Sequence, residues 1–304
     1  MMITRLAEIF AKIDRERKTR LVVAAAHDPH VLDAVTAAHR EGVIDALLIG
    51  DEKKLEAISE EHAFDLSGMT IVNEPDNELA AKLAVKAIHE GKGEVLMKGI
   101  LETATFMRPI LSKADGVRKS DVLSSIALFE LKGYHKVFAL TDGGLNIAPD
   151  LKTKAAIIKN AVGYMRKLSV ETPKVAALGA FELVSDSMPA TMDGAMLSKM
   201  AQRGQIKHCI VEGPLSFDIA ISRESARLKG VENEVAGDAD ILLSPNIEAA
   251  NVLYKSFVYL ANATPAAVIV GAAVPVVLTS RADSEEIKLN SIRLAASIAH
   301  SAIE

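Results

Sequence analysis

The chemistry-bearing residues of this chain follow apolar runs that have the composition of β-strands. The run that begins at Gly271 leads into Ser280, Arg281 and Asp283. These side chains supply a hydroxyl, a planar guanidinium that matches phosphate or carboxylate groups, and a carboxylate that accepts protons. Such an end to a buried strand is typical of an active site, because ligands of open α/β sheets bind outside the carboxyl ends of the strands. The alternative is a surface pair between Arg281 and Asp283, with Asp283 as the N-cap of the last helix.

Polar groups also follow most of the other apolar runs. Lys98 and Gly99 come directly after EVLM, where they offer a cation and free backbone N–H groups to an anion at a helix N-terminus. Because strand ends meet at one edge of a parallel sheet, we expect the polar and turn residues at these ends to line a single site. The further members of this set are Thr103, Arg108, Asp142, Asn146, Gly213, Pro214, Asn246, Asn251 and Lys255.

Absent motifs narrow the reaction class. The sequence holds no GxGxxG after a strand, no GxxxxGK[ST], no GxSxG and no HExxH, which disfavours nucleotide hydrolysis, triad hydrolysis and zinc chemistry. His27 and His30 flank Pro29 in a turn and lack partners at metal-ligand spacing, so we interpret both as structural. Cys209 lies in the apolar run HCIVEG and is interpreted as a packed strand residue, not a nucleophile.

The elements that position these residues alternate between β-branched runs and helical patterns. Strands predicted from about Leu21, Asp45, Met69 and Glu94 are separated by helices, which indicates a parallel sheet covered on both faces. The connection LKGYH inside Val122–Asp142 is too short for a helical crossover, so the two strands that it joins are antiparallel or lie in different sheets. Later helices are predicted over residues 150–168, 190–202, 218–229 and 247–262, and from about residue 284.

Length and composition predict a cytoplasmic α/β protein of two domains. At about 100–200 residues per domain, 304 residues correspond to two. We place the first domain at residues 1–134 plus 279–304 and the second at 135–278. A single cysteine fits a reducing compartment. Nucleic-acid binding is not expected, because aromatic residues are 4% of the chain and no basic stripe is present. Nor do we expect a membrane span or a signal peptide.

Several of these segments together resemble the phosphate acetyl/butyryltransferases, most closely the butyryltransferase branch. They are MKG at Met97 with Arg108 downstream, TDGGLNIAPDLKTKAAIIKNAV, VEGPLSFDIAIS, VAGDADILLSPNIEAANVLYK and PVVLTSRAD. The resemblance covers essentially the whole chain. It implies a two-domain α/β fold like that of the isocitrate and isopropylmalate dehydrogenases, with an active site in the interdomain cleft and a homodimer or larger homo-oligomer.

The implied reaction is reversible acyl transfer between CoA and orthophosphate through a ternary complex. Acyl-CoA and phosphate are then the substrates, with no metal and no permanently bound cofactor, and butyryl is the expected acyl group, with acetyl and propionyl as alternatives. We assign the phosphoryl contact to Arg281 and Arg108, and the oxyanion contact to Ser280 or a backbone N–H. Asp283 is the first choice for the base that takes the thiol proton, and Glu286 is the second.

Two other functions stay open at this point. A metal- and NAD-dependent decarboxylating dehydrogenase of the same fold needs clustered aspartates, for which Asp238 and Asp240 are the close pair. Both precede the strand DILL and so stand at the end opposite to the expected site. A non-catalytic protein that binds CoA or acyl phosphate is the other alternative, and thermal stabilisation by CoA without turnover would distinguish it.

Overall fold

The computed structural model describes residues 2–299 of the chain, so residue 1 and residues 300–304 of the predicted first domain lie outside the described part. The strands are β1 (Thr19–Ala24), β2 (Ile44–Gly50), β3 (Thr70–Asn73), β4 (Val95–Lys98), β5 (Ser124–Phe129), β6 (Phe138–Thr141), β7 (Lys174–Leu178), β8 (Ile210–Leu215), β9 (Ile241–Leu243), β10 (Ala266–Val270) and β11 (Val276–Val277). The helices are α1 (Leu6–Phe10), α2 (Pro29–Arg40), α3 (Glu52–His62), α4 (Asn77–His89), α5 (Thr103–Leu111), α6 (Leu151–Lys167), α7 (Pro189–Gln202), α8 (Phe217–Ile221), α9 (Arg223–Leu228), α10 (Ile247–Leu260) and α11 (Glu285–Ala299).

The chain divides into two compact units. Unit 1 comprises the chain up to Glu8 together with Val122–Pro265, and unit 2 comprises Ile9–Asp121 together with the chain from Ala266. The chain changes unit after Glu8, after Asp121 and after Pro265. The last two changes lie earlier in the chain than the predicted domain boundaries, which stay a prediction, and the first was not predicted. The physical reason for the difference is strand pairing, because β5 pairs with β6 inside unit 1 and β10 pairs with β11 inside unit 2.

Unit 2 holds strands in the order β3-β2-β1-β4-β11-β10. All of these pairs are parallel except β10 with β11. Strands β1 and β4 are buried along almost their whole length, as expected of parallel strands with helices on both faces. Helix α2 begins at Pro29, because Asp28 caps it through a hydrogen bond from the Val31 N–H, 3.0 Å long. The carboxyl ends of β4 and β11 lie side by side in register.

Unit 1 holds strands in the order β5-β6-β9-β7-β8. The pair β5 and β6 is antiparallel, which confirms the prediction made from their short connection, and the other pairs are parallel. The segment before α1 belongs to this unit, since the Val137 N–H donates to the Ile3 carbonyl at 2.8 Å and the Leu6 N–H donates to the Glu130 carboxylate at 3.0 Å. Both units are therefore α/β, as predicted.

Two predicted elements differ in extent. The helix expected over residues 218–229 is two helices, α8 and α9, because Ser222 adopts an extended conformation and its hydroxyl caps α9 through the Ser225 N–H. The apolar run from Gly271 forms only the two-residue strand β11, since Gly271 has a φ of 95° and Pro275 has no N–H to donate. Among residues 2–299, no helix has both the length and the apolar composition needed to cross a membrane.

Candidate active site

A cavity of about 260 Å³ lies at the carboxyl ends of β4 and β11 in unit 2. The elements around it are the N-terminus of α2, the turn after β4, the turn after β11 and the first turn of α11. The lining residues are Asp28, His30, Val31, Lys98, Gly99, Ile100, Thr279, Ser280, Arg281 and Lys288. The structure thus brings Ser280, Arg281, Lys98 and Gly99 together, as the sequence predicts.

Three cationic side chains line this cavity. Lys98 and Lys288 are 6% and 3% exposed, whereas Arg281 is exposed. The Lys98 ammonium donates to the carbonyls of Gly99 and Leu101 at 3.2 and 3.1 Å, and the Lys288 ammonium donates to the Asp283 carbonyl. Buried cations that contact carbonyl oxygens retain a strong attraction for an anion.

The electrostatics of Lys98 follow from this arrangement. Burial lowers the pKa of the Lys98 ammonium, the nearby Arg281 guanidinium lowers that pKa further, and Asp28 acts in the opposite direction. The charged form of Lys98 is therefore less favourable in the folded protein than in water. An anion bound in the cavity would offset that cost, because an opposite charge favours the ammonium form.

The turn after β11 is held by its own side chains. The Asp283 carboxylate accepts a hydrogen bond of 2.7 Å from the Ser280 backbone N–H, and the Ser280 hydroxyl accepts one of 3.3 Å from the Ala282 N–H. Helix α11 is capped instead by Ser284, whose hydroxyl accepts from the Ile287 N–H at 3.3 Å. The Asp283 carboxylate shapes the loop that presents Arg281, and it is not among the groups that line the cavity.

Gly99 directly follows β4 and packs against Ala25, the residue that follows β1. A Cβ at this position would lie 2.0 Å from the Ala25 carbonyl oxygen, so only glycine fits without a shift of the backbone. The prediction that the Gly99 N–H is free for an anion is wrong, because it donates to the Ala24 carbonyl at 2.8 Å. Gly99 lines the cavity through its small size.

The structure does not bring Thr103 and Arg108 to this cavity. Thr103 is exposed in the first turn of α5. The Arg108 guanidinium lies 3.6 Å from the Glu78 carboxylate and lines a separate cavity of about 680 Å³ between α4 and α5. Pro109 follows Arg108 inside α5, and the helix continues for two residues beyond it. The role of Arg108 in holding phosphate stays a prediction.

In unit 1, Asp142 organises the TDGGLN loop. Its carboxylate is buried and accepts hydrogen bonds from the backbone N–H groups of Ser125, Gly144, Leu145 and Asn146, at 2.9 to 3.2 Å. The Asn146 side chain donates to Asp142 at 2.5 Å and to the Leu123 carbonyl at 2.9 Å. These bonds fix the loop conformation, so the predicted substrate contact of Asp142 and Asn146 stays a prediction.

Of the other predicted residues of unit 1, Gly213, Pro214 and Asn246 serve packing or capping in the structure. Gly213 and Pro214 lie inside β8, where a Cβ on Gly213 would stand 2.7 Å from the Ala177 side chain. The Asn246 side chain caps α10 by accepting from the Ala249 N–H at 2.9 Å. Asn251 and Lys255 are exposed one turn apart on α10, as the spacing predicts. Whether they contact substrate stays a prediction.

A family model described as phosphate acetyl/butaryl transferase matches residues 5–83 and 72–296 of this chain. The chain belongs to the phosphate acetyl/butaryl transferase family. It is 45% identical over 298 residues to a phosphate butyryltransferase of Clostridium acetobutylicum, with 98% of this chain and 99% of the relative covered. It is 44% identical over 289 residues to a phosphate acetyltransferase of Thermotoga maritima, with 95% and 98% covered.

A solved structure agrees with this assignment. The chain aligns with the crystal structure of a branched-chain phosphotransacylase from Enterococcus faecalis V583 at a TM-score of 0.83 and 32% identity, with 93% of this chain and 99% of that chain covered. The prediction of family and of transferase class is confirmed.

The aspartates considered for a dehydrogenase have another role in this phosphate acetyl/butaryl transferase. Asp240 pairs with the Lys136 ammonium at 2.5 Å. Asp238 pairs with Lys174 and His135, both at 2.7 Å. The pair therefore joins the amino-terminal ends of β6, β7 and β9. Salt bridges that join strands in this way explain the close pair without a metal.

Lys288 and Asp28 also line the cavity, although neither is among the predicted site residues. Lys288 falls on the apolar stripe of α11, four residues before Ile292, where a lysine stands out among buried positions. That signal was available in the sequence. Cys209 is half-buried and stands one residue before β8, so its interpretation as a strand residue is wrong. Burial raises the pKa of its thiol to about 11 and leaves little thiolate at neutral pH, as expected of a cysteine that is not a nucleophile.

Proposed function

We propose that this chain catalyses the reversible transfer of a short acyl group between CoA and orthophosphate within a ternary complex. The observation that carries the proposal is the cavity in unit 2. There Lys98, Arg281 and Lys288 place three cations at the carboxyl ends of two parallel strands, in a chain that belongs to this family. Such a cavity suits a small polyanion. The family is named for transfer to or from phosphate, so we assign phosphate as this polyanion.

The cations supply the electrostatic part of the reaction. A guanidinium pairs with phosphate through two parallel hydrogen bonds, so Arg281 orients the phosphate, while the lysines act as point charges. With acyl-CoA bound, a phosphate oxygen attacks the acyl carbonyl carbon, the C–O bond forms and the C–S bond breaks. Negative charge develops on the carbonyl oxygen in the transition state, and a hydroxyl such as that of Ser280 is suited to donate to it.

Other parts of the proposal rest on the sequence resemblance. They are the contribution of Asp142, Asn146, Gly213, Pro214, Asn246, Asn251 and Lys255 to CoA binding, the dehydrogenase-like domain arrangement with a cleft, a homodimer or larger homo-oligomer, and a cytoplasmic location. Butyryl is the proposed acyl group. Alanine substitution at Asn251 and Lys255, both exposed, tests the first of these with little risk to folding.

A coupled assay decides the proposal. Phosphate is added to the protein with acetyl-, propionyl- or butyryl-CoA, and free thiol is measured. We expect thiol release that depends on both substrates and is fastest with butyryl-CoA. Absence of release with all three thioesters, in a sample whose thermal unfolding is cooperative, would overturn the proposed function.

A further inference from the structure

The Lys98 side chain is held in the cavity by the backbone of the turn that follows it. Lys98 is the last residue of β4, is buried, and lines the cavity that we assign to the phosphoryl group. Its two hydrogen bonds run to the carbonyls of Gly99 and Leu101. Within residues 2–299, no carboxylate forms an ion pair with this nitrogen. The fold therefore fixes the position of the amino group without neutralising its charge.

This pattern of hydrogen bonds suits the neutral amine as well as the ammonium. An ammonium has three N–H donors, and the two carbonyls occupy two of those of Lys98. A neutral amine has two N–H groups and one lone pair, so the loss of the third proton preserves both bonds. Lys98 can therefore lose that proton without leaving its place, and a lysine nitrogen with a lone pair is a nucleophile towards acyl carbon.

The surroundings of Lys98 favour the loss of that proton. Burial lowers the pKa of Lys98, the positive charges of Arg281 and Lys288 lower it further, and Asp28 acts against them. His30 lines the same cavity and adds another positive charge when it is protonated. A desolvated lysine beside a second cation is an arrangement that activates lysine nucleophiles. The neutral fraction of Lys98 at pH 7 is therefore larger than that of an exposed lysine, whose pKa is about 10.4.

The proposed reaction brings an acylating agent to this amino group. An acyl phosphate is a mixed anhydride, whose carbonyl carbon reacts with amines and whose leaving group is phosphate. Its acyl carbon is attached to the phosphoryl group through a single oxygen. When Arg281 holds the phosphoryl group, the acyl carbon therefore lies close to the cavity of about 260 Å³ that Lys98 lines. Without bound CoA, Lys98 is a nucleophile that competes for the acyl group.

We propose that Lys98 is a self-acylation site of this transferase, which bound acyl phosphate modifies when CoA is absent. The inference rests on the proposed function, since that reaction supplies the acyl phosphate. The lone pair of the Lys98 Nζ attacks the carbonyl carbon, the C–N bond forms, and the C–O bond to phosphate breaks. One proton of the amine passes to the leaving phosphate oxygen. The products are an amide on the Lys98 Nζ and hydrogen phosphate.

The modification links the activity of the enzyme to its own product. An amide carries no charge, so acylation removes one of the three cations of the cavity. The attached acyl chain also occupies space beside Arg281. Phosphate and acyl phosphate then bind less tightly, so the reaction slows in both directions. Accumulation of acyl phosphate without CoA thus inactivates the enzyme progressively.

Peptide mass spectrometry measures the modification directly. The wild-type protein is incubated with butyryl phosphate without CoA and digested with a protease that does not cleave at lysine. We expect Lys98 to be butyrylated at least about tenfold faster than Lys53 and Lys82, exposed lysines of α3 and α4, because a bound reactant gains a large effective concentration. Excess inorganic phosphate should protect Lys98 and leave the exposed lysines unchanged. The label should resist hydroxylamine, as an amide does.

Activity measurements test the consequence of the label. Loss of thioester formation during the incubation should follow the occupancy of Lys98, and CoA added from the start should prevent both. Lys98→Arg keeps a positive charge but offers no lone pair, so its residual activity should stay constant over the same time. Arg281→Ala should lower the labelling of Lys98 by at least about tenfold, because the phosphoryl group loses its guanidinium. The mapping and the phosphate protection use the wild-type chain and do not depend on how the variants fold.

Each outcome has a defined meaning. Butyrylation of Lys98 at the rate of the exposed lysines, or a label that phosphate does not prevent, would overturn the proposal. So would a label confined to Lys288. Normal thioester formation from butyryl phosphate and CoA in the same sample would leave the proposed function intact in each of these cases. Absence of thioester formation in the unlabelled wild type would instead overturn the proposed function, so the two failures are distinguishable.

Discussion

At the scale of single residues, Arg281 differs from the two lysines of the cavity. It is exposed at the end of a short turn, and its planar guanidinium matches two phosphate oxygens at once. Lys98 and Lys288 are buried and hold carbonyl oxygens of the surrounding turns. Arg281 is therefore the cation that we expect to contact the phosphoryl group directly. The two lysines add positive charge to the cavity and hold the turns in place.

The first prediction concerns the shape of that contact. Arg281→Ala should lower kcat/KM for phosphate by about 10- to 150-fold, the equivalent of the 1.5–3 kcal/mol of a charge-assisted hydrogen bond. Arg281→Lys should recover only a small part, because an ammonium lacks the planar pair of donors. Steady-state kinetics against phosphate measure both variants. Arg40→Ala, at an exposed arginine of α2, serves as the control, and wild-type kinetics in Arg281→Ala would contradict the prediction.

The second prediction concerns pH. The pKa of Lys98 is lowered by burial and by the positive charge of Arg281, so Lys98 loses its proton at a lower pH than a lysine in water. Phosphate affinity should therefore weaken on the alkaline side before an ordinary lysine titrates, and Lys98→Met should abolish that limb. Arg281→Ala should move it to higher pH, because removal of a like charge favours the ammonium form. An alkaline limb at the same pH in wild type and Arg281→Ala would refute the assignment to Lys98.

At the scale of elements, charged side chains join the starts of three strands in unit 1. Asp238 lies at the entrance to β9 and contacts Lys136 before β6 and Lys174 at the start of β7. Partial burial acts to raise the pKa of the Asp238 carboxyl, but the hydrogen bonds from Lys174, His135 and Lys136 outweigh it and lower the pKa well below its usual range. The cluster stabilises the unit only while Asp238 is ionised.

The third prediction follows from this cluster. Asp238→Asn should lower the free energy of unfolding by about 1.5–3 kcal/mol at neutral pH, because two lysines lose a charged partner. The pKa of Asp238 is lower in the folded protein than in the unfolded chain. The contribution of Asp238 to the free energy of unfolding is therefore present in full above the ordinary aspartate pKa of about 4, and it is lost as the pH falls towards the folded-state pKa. The difference between wild type and variant should therefore shrink in acid. Urea unfolding measures it, with exposed Asp186→Asn as the matched control.

The packing of Gly99 against the Ala25 backbone gives a fourth prediction. Gly99→Ala should destabilise the protein by about 1–3 kcal/mol, since the new methyl group would press on the Ala25 carbonyl and displace the end of β4. The position of Lys98 should shift with it, so phosphate KM should rise as well. Gly163→Ala is the contrasting control, because nothing stands within 4 Å of its Cβ in α6, and alanine there should stabilise by up to about 1 kcal/mol. Equal stability of the two variants would contradict the steric reading.

The elements were largely predictable from the sequence, whereas the cavity was predictable only in part. The location of Lys98 and Ser280 in a common site was predictable, because both follow strands and the carboxyl ends of parallel strands lie at one edge of a sheet. The contact between His30 and Glu285 joins residues that are far apart in the sequence, so no local sequence pattern predicts it. For Asp142 and Asn246, the sequence could not show the hydrogen bonds that their side chains make within the chain. Their side chains are of the type that binds ligands, but here they bond their own loop and helix.

At the scale of the whole molecule, the fifth prediction concerns the length of the acyl group. The chain is about equally similar to a butyryl- and an acetyltransferase, at 45% and 44% identity. If the acyl pocket accepts butyryl, its two extra methylenes should each add about 0.8 kcal/mol. The fifth prediction is thus that kcat/KM for butyryl-CoA exceeds that for acetyl-CoA by about 15-fold. If kcat/KM were equal for acetyl-, propionyl- and butyryl-CoA, or highest for acetyl-CoA, the prediction would be contradicted.

Unit 2 is assembled from two stretches of chain with most of unit 1 between them, and this has a consequence for the order of biosynthesis. His30 and Lys98 leave the ribosome early, whereas Arg281, Glu285 and Lys288 emerge only after residues 122–265. Unit 1 can complete its strands while unit 2 still lacks β10, β11 and α11, since domains fold during synthesis as their residues appear. The growing chain therefore has no complete anion site until α11 is made, and a truncated product that stops before Arg281 would be inactive.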